Sequence, residues 1–196
     1  TFALDARLYH DLGVRIVEAW RQGIELPEPG MGHDYVAIIA GVYWLLGAHP
    51  LYAILLHCWL GALTGWLAYR IGQKLFDRAG ALRAAYFVGF WPSSLLWSSQ
   101  ILRDALSWCL ILTILWLVVL MTEPDPRPFR VRWWRLCVQA AGLVAATILV
   151  TRLRVYLGSV LTLMALVTLV PAGCAYAFDR RIGRALARSA QVLGLG

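Results

Sequence analysis

Charge is scarce in this chain of 196 residues, and lysine is almost absent from it. Charged side chains make up 15% of the sequence, against about 25% in a typical soluble domain. Lys74 is the lone lysine, so the formal net charge of +7 is carried by arginine. With 60% hydrophobic residues, too little polar surface remains to solvate a globule, and a soluble fold is excluded. Acidic residues thin out after Asp5, Asp11, Glu18, Glu25, Glu28 and Asp34. The four cysteines, Cys58, Cys109, Cys137 and Cys174, each lie in an apolar run without a CxxC spacing. That excludes a disulfide framework and a zinc site of the usual spacing, and reads as buried, inert thiols. No positively charged n-region or apolar h-region precedes Thr1, so the chain reads as an internal fragment whose upstream segment is missing. No fixed-period repeat is evident.

Long uncharged apolar runs are present instead, at 51–69, 105–122 and 155–178. Each approaches or exceeds the ~20 apolar residues that cross a ~30 Å hydrocarbon core. Ten tryptophans and eight tyrosines suit a protein with two membrane interfaces, where amphipathic rings settle. The fold class expected is all-α, a polytopic integral membrane helical protein. Residues 1–24 form no span: Leu4, Leu8, Leu12, Ile16 and Trp20 recur every four residues, while Asp11, Arg15, Glu18 and Arg21 take other faces. This predicts an amphipathic helix at an interface, ended by the loop Pro27-Glu28-Pro29-Gly30. The apolar run 35–46 is too short to span and is expected to be a re-entrant juxtamembrane helix.

Three domains of organisation follow: extracytoplasmic juxtamembrane helices at 1–50, a bundle of about five spans at 51–188, and a tail at 189–196. The spans expected are 51–71, a segment from 82 that ends near Pro92, 105–121, 136–151 and 155–177. A short helix carrying Leu95 to Leu102 is expected after Pro92. The basic loops 70–83, 127–135 and 180–188 then fall on one side, as the positive-inside rule requires of cytoplasmic loops. Arginines placed this way give no reason to expect a nucleic-acid partner.

Polar residues at membrane depth or at the outer interface are costly, and such residues are usually paired or functional. Asp5 stands in the amphipathic segment beside Tyr9 and His10, and His33 and Asp34 precede the re-entrant helix. Arg103 and Asp104 head an apolar span, while Arg152 and Arg154 sit on an outer turn where the positive-inside rule gives no reason for them. Each set also has a plain structural reading: a solvated helix face for Asp5, a helix start for Asp104, and snorkelling for the two arginines. His49 and His57 read as structural. A divalent metal site from Asp5, His10, His33 and Asp34 lacks ligand spacing, and no cofactor is expected.

Several segments together resemble a known family. They are Asp5-Ala-Arg-Leu-Tyr9-His10, Tyr43-Trp-Leu-Leu-Gly47-Ala-His-Pro50, Leu60-Gly-Ala-Leu-Thr-Gly-Trp-Leu-Ala-Tyr69, Phe90-Trp-Pro92-Ser-Ser, and Ile101-Leu-Arg-Asp104. In this order they resemble the N-terminal half of the GT-C membrane glycosyltransferases of the dolichyl-phosphate-mannose-protein mannosyltransferase type, glycosyltransferase family 39. The resemblance implies a transferase in a bacterial inner membrane that takes a sugar from a polyprenyl-phosphate lipid on the extracytoplasmic face. It further implies Asp5 and Asp104 as the catalytic carboxylates, with Asp5 as general base. Tyr9, His10, Arg103, Arg152 and Arg154 would contact the substrate, the arginines through the lipid phosphate. The sequence departs from the pattern where Ala6 follows Asp5, since family members often carry an acidic pair there. Two readings from other classes remain beside it: half of a transporter or flippase using Arg103 and Asp104 on a broken helix, and a non-catalytic membrane subunit.

Overall fold

A computed structural model describes residues 2–24, 33–122 and 129–160. Every regular element among them is helical: α1 (Phe2–Gln22), α2 (His33–Leu46), α3 (Pro50–Leu75), α4 (Arg78–Phe90), α5 (Pro92–Ser98), α6 (Arg103–Thr122) and α7 (Phe129–Leu153). The chain divides into two compact units, Thr1–Arg154 and Val155–Gly196; in the second, residues 155–160 are helical. The expected span 155–177 and the basic segment 180–188 lie outside the described residues beyond that turn.

The helix boundaries follow local chemistry. α1 ends at Gly23 and α2 at Gly47, both with positive φ (66° and 105°), the left-handed conformation that glycine adopts without a Cβ penalty. α3 starts on His49, whose ring nitrogen accepts the Leu51 N–H at 3.3 Å, with Pro50 in the first turn where its missing donor costs nothing. Asp77 caps α4 by accepting the Gly80 N–H at 2.9 Å. Trp91 is non-helical, as the residue before a proline tends to be.

Among the described residues, Pro50–Leu75, Arg103–Thr122 and Trp133–Leu153 are long and apolar enough to cross a membrane. At most a third of the apolar window of each is buried inside the protein. So much outward-facing apolar surface has lipid as its solvent, and the chain is an all-α membrane protein. The 82–102 stretch departs from expectation. The break at Trp91 leaves α4 with 13 residues, about 20 Å of helix, which is shorter than the hydrocarbon core. The short helix after it, α5, covers Pro92–Ser98 rather than reaching Leu102.

α4 runs back along α3 at close range. A Cβ on Gly72 would lie 2.8 Å from the Ala81 Cα, and one on Gly65 would lie 3.6 Å from the Gly89 Cα. Small residues on both sides let the backbones meet, the usual solution where hydrophobic burial cannot drive helices together. α3 and α6 run parallel: the Arg70 guanidinium lies between the Trp66 and Trp116 rings, 5.5 and 5.2 Å from their centroids. α7 then returns beside α6, ending where α6 begins. Arg70, Lys74, Arg78 and Arg83 therefore gather at one end of the bundle, and the starts of α3 and α6 at the other.

At that second end α1 and α2 pack as a layer. Ile16, Val17, Tyr35, Val36, Ile39, Ala40 and Tyr43 form a buried cluster with Ala53 of α3, Ile101 and Leu153 of α7. α2 hides one face, while Trp44, Leu45 and Leu46 stay exposed, consistent with a juxtamembrane helix whose outer side meets lipid. The cysteines correct one expectation. Cys109 is buried, but Cys58 and Cys137 are exposed, because an apolar run in a membrane helix has a lipid-facing side as well as a packed one. Cys174 lies outside the described residues.

Candidate functional site

The polar residues at the α1–α2 end converge through long-range contacts. Asp104 occupies the first turn of α6, where the helix dipole favours a carboxylate. Arg154 follows the last turn of α7, and its guanidinium donates to the Asp104 carboxylate in a partly buried ion pair. Fifty residues apart in sequence, the two charges tie the start of one membrane helix to the end of another. A charge-assisted bond in a partly dried environment is among the stronger polar contacts available.

Beside this pair stands Tyr35, at the start of α2. Burial, above all, raises its phenol pKa; the Tyr9 and Tyr43 hydroxyls and the Asp104 carboxylate push in the same direction, while Arg103 opposes. The phenol therefore keeps its proton and acts as a donor. Its partner is His57 of α3: Tyr35 Oη lies 2.8 Å from Nε2, and Nδ1 of the same ring lies 2.6 Å from the Ala53 carbonyl. A carbonyl can only accept, so Nδ1 carries the proton and Nε2 accepts from Tyr35. Tyr9 meets the Tyr35 ring edge-on at 4.9 Å, a favoured arrangement for aromatic pairs. On the other side of the layer, His10 Nδ1 lies 2.8 Å from Tyr43 Oη.

The structure thus brings Asp104 and Arg154 together directly. It places Arg103 and Tyr9 close to Tyr35, and His10 on the same α1–α2 layer. Asp5 lies one turn before Tyr9 on the exposed face of α1, and Arg152 is exposed on the last turn of α7. Tyr35, Tyr43 and His57 were not read from the sequence as members of this network. Their contacts span 22 and 33 residues, and no local spacing signals such pairs. Asp34 is half-buried at the start of α2, while the His33 side chain lies outside the described residues. Among the described residues no group of His, Cys, Asp and Glu is arranged to hold a metal ion.

The cluster holds a guanidinium and a carboxylate at the ends of membrane helices, not at their midpoints, beside a buried tyrosine–histidine pair. Such a set can bind an anionic headgroup and handle one proton. Compared with known proteins, the chain matches no protein-family model, no curated protein and no solved structure.

Proposed function

We propose that this chain is part of a membrane glycosyltransferase that moves a sugar from a polyprenyl-phosphate donor to an acceptor, at the face carrying α1 and α2. The observation that carries this reading is the Asp104–Arg154 pair at the meeting point of α6 and α7. A guanidinium there is oriented by the Asp104 carboxylate, and its planar fork is the geometry that pairs with phosphate oxygens. Its place at helix ends suits a lipid whose phosphate rides at the headgroup level. A transporter site would instead be sought near the bilayer midplane, on broken helices. The basic end, with Arg70, Lys74, Arg78 and Arg83, is then cytoplasmic by the positive-inside rule, and the site is extracytoplasmic.

In the reaction, an acceptor hydroxyl oxygen attacks the anomeric carbon as the bond from that carbon to the phosphate oxygen breaks. The leaving phosphate takes the bonding electron pair, and Arg154 with Arg103 stabilises its charge. The acceptor proton passes to a carboxylate. Asp5, exposed on the turn before Tyr9, is the residue proposed as that base, and Asp104 holds Arg154 in position. Tyr9 and His10 line the approach on α1.

The test is release of polyprenyl phosphate. Membranes containing the protein are incubated with a panel of polyprenyl-phosphate sugars, and lipid products are separated by thin-layer chromatography. Consumption of one donor with transfer of its sugar is the expected result. Movement of intact donor between leaflets without cleavage would establish a flippase instead and overturn the proposal.

A further inference from the structure

A second feature lies where α3 faces α4 and α5, and it has no part in the reaction proposed above. Between α3, α4, α5 and the start of α6 is a groove of about 670 Å³, in the ~300–1,000 Å³ range of sites that hold one small apolar ligand. Its walls are mainly apolar and aromatic, with Trp66, Tyr86, Phe90, Trp97 and Trp108 among them, and Gly61 and Gly65 of α3 also line it. The shortness of α4 and the break at Trp91 create it. α4 touches α3 backbone to backbone through Gly72 and Ala81, so no large side chains fill the space alongside.

The groove has two distinct ends. One lies by Ser94, Ser98 and Ser99. The other, at Tyr69, Leu82 and Tyr86, opens toward the basic end of the bundle. Arg78 precedes Leu82 by four residues and therefore shares its helix face, one turn nearer the aqueous boundary. Arg83 precedes Tyr86 by three, and both arginines are exposed. Arg70, one residue beyond Tyr69, holds its guanidinium carbon 5.5 and 5.2 Å from the Trp66 and Trp116 ring centroids. Asp77, which precedes Arg78, caps the Gly80 N–H.

We infer that this groove seats one hydrocarbon chain of an anionic glycerophospholipid from the leaflet on the basic side, with its phosphate headgroup among Arg70, Arg78 and Arg83. Hydrocarbon is the solvent around these helices, so an apolar groove open to it is filled by chain. The arginines at one end alone decide which lipid supplies that chain, and from which leaflet. Basic clusters between membrane helices on the cytoplasmic side recognise anionic headgroups in this way, at about fivefold in affinity per Lys or Arg.

Native mass spectrometry of the detergent-purified protein tests this, titrating dioleoyl phosphatidylglycerol against dioleoyl phosphatidylcholine, which differ only in the headgroup. Retention of one phosphatidylglycerol per chain, at no more than about a tenth of the concentration needed for phosphatidylcholine, is expected. The variant Arg78→Gln with Arg83→Gln should lower that retention about twenty-fivefold. Ala62→Trp, at an exposed wall position, should fill the seat and abolish retention of both lipids. Equal retention of the two lipids by the wild type overturns the inference, as does unchanged binding in a folded Ala62→Trp protein. So does a dimer peak that excludes lipid adducts, which would give the groove to a second copy. If Ala62→Trp fails to fold, the exposed arginine pair still decides the matter.

Discussion

Removing a single oxygen from Tyr35 should weaken the attachment of α2 to α3 by a measurable and predictable amount. Tyr35→Phe keeps the ring, its edge contact with Tyr9 and its packing volume, and deletes only the donor to His57. Both residues are about 1% exposed, so no water replaces the lost hydroxyl, and His57 Nε2 is left unsatisfied. Such a buried orphan costs about 1–3 kcal/mol. Double-mutant cycles within membrane bundles give smaller couplings, up to ~1.7 kcal/mol, so ~1–2 kcal/mol is expected here. For a protein of this length that is a fall of roughly 2–8 °C in the thermal midpoint. Tyr43→Phe provides the internal control, because its partner His10 is only half-buried and can turn to water; its cost should stay at about 0.5–1 kcal/mol. Adding His57→Leu to Tyr35→Phe removes the orphan, so the double variant should lose less than the sum of the two single losses. Thermal unfolding in one detergent at fixed pH measures the wild type and all four variants. A Tyr35→Phe midpoint equal to wild type, or above that of Tyr43→Phe, refutes the reasoning.

Gly72→Ala should separate α3 from α4 and destabilise the protein by more than 2 kcal/mol, since its Cβ would meet the Ala81 backbone at 2.8 Å. Gly65→Ala, with its nearest contact at 3.6 Å, should be close to neutral; denaturant titration ranks the two. The Tyr43 phenol is pushed up to about 12 by burial, from an ordinary value near 10. The unfolded chain therefore loses that proton first, and the stability contributed by the buried phenol is complete below pH ~10 and lost as pH climbs toward ~12. Thermal midpoints across that window should fall less steeply in Tyr43→Phe than in wild type.

The membrane class was legible because it rests on composition and run length, which need no tertiary knowledge. The spans 51–71, 105–121 and 136–151 lie within α3, α6 and α7 for that reason. Pro92 likewise marked the break before α5. What hydropathy could not show is that α4 would stop short of a full crossing, because its end depends on the Trp91–Pro92 backbone and not on an apolar count. Asp104 and Arg154 each drew notice as charges that membrane helices tolerate poorly, yet their pairing across 50 residues required the α6–α7 hairpin to be seen. The exposed state of Cys58 and Cys137 shows the same limit. Sequence separates apolar from polar, but not the lipid-facing side of a span from its packed side.

The most direct measurement on the proposed mechanism is the rate of sugar transfer from a polyprenyl-phosphate donor in membranes with matched expression of wild type, Arg154→Lys, Arg152→Lys and Asp104→Asn. Lysine keeps the charge but not the planar donor fork that engages Asp104. Loss of one charge-assisted hydrogen bond worth about 1.5–3 kcal/mol corresponds to roughly one to two orders of magnitude in rate. Arg154→Lys and Asp104→Asn should both fall by that amount, while Arg152→Lys, at an exposed position, should transfer at the wild-type rate. Wild-type rates in both Arg154→Lys and Asp104→Asn would contradict the account and remove the ion pair from the chemistry.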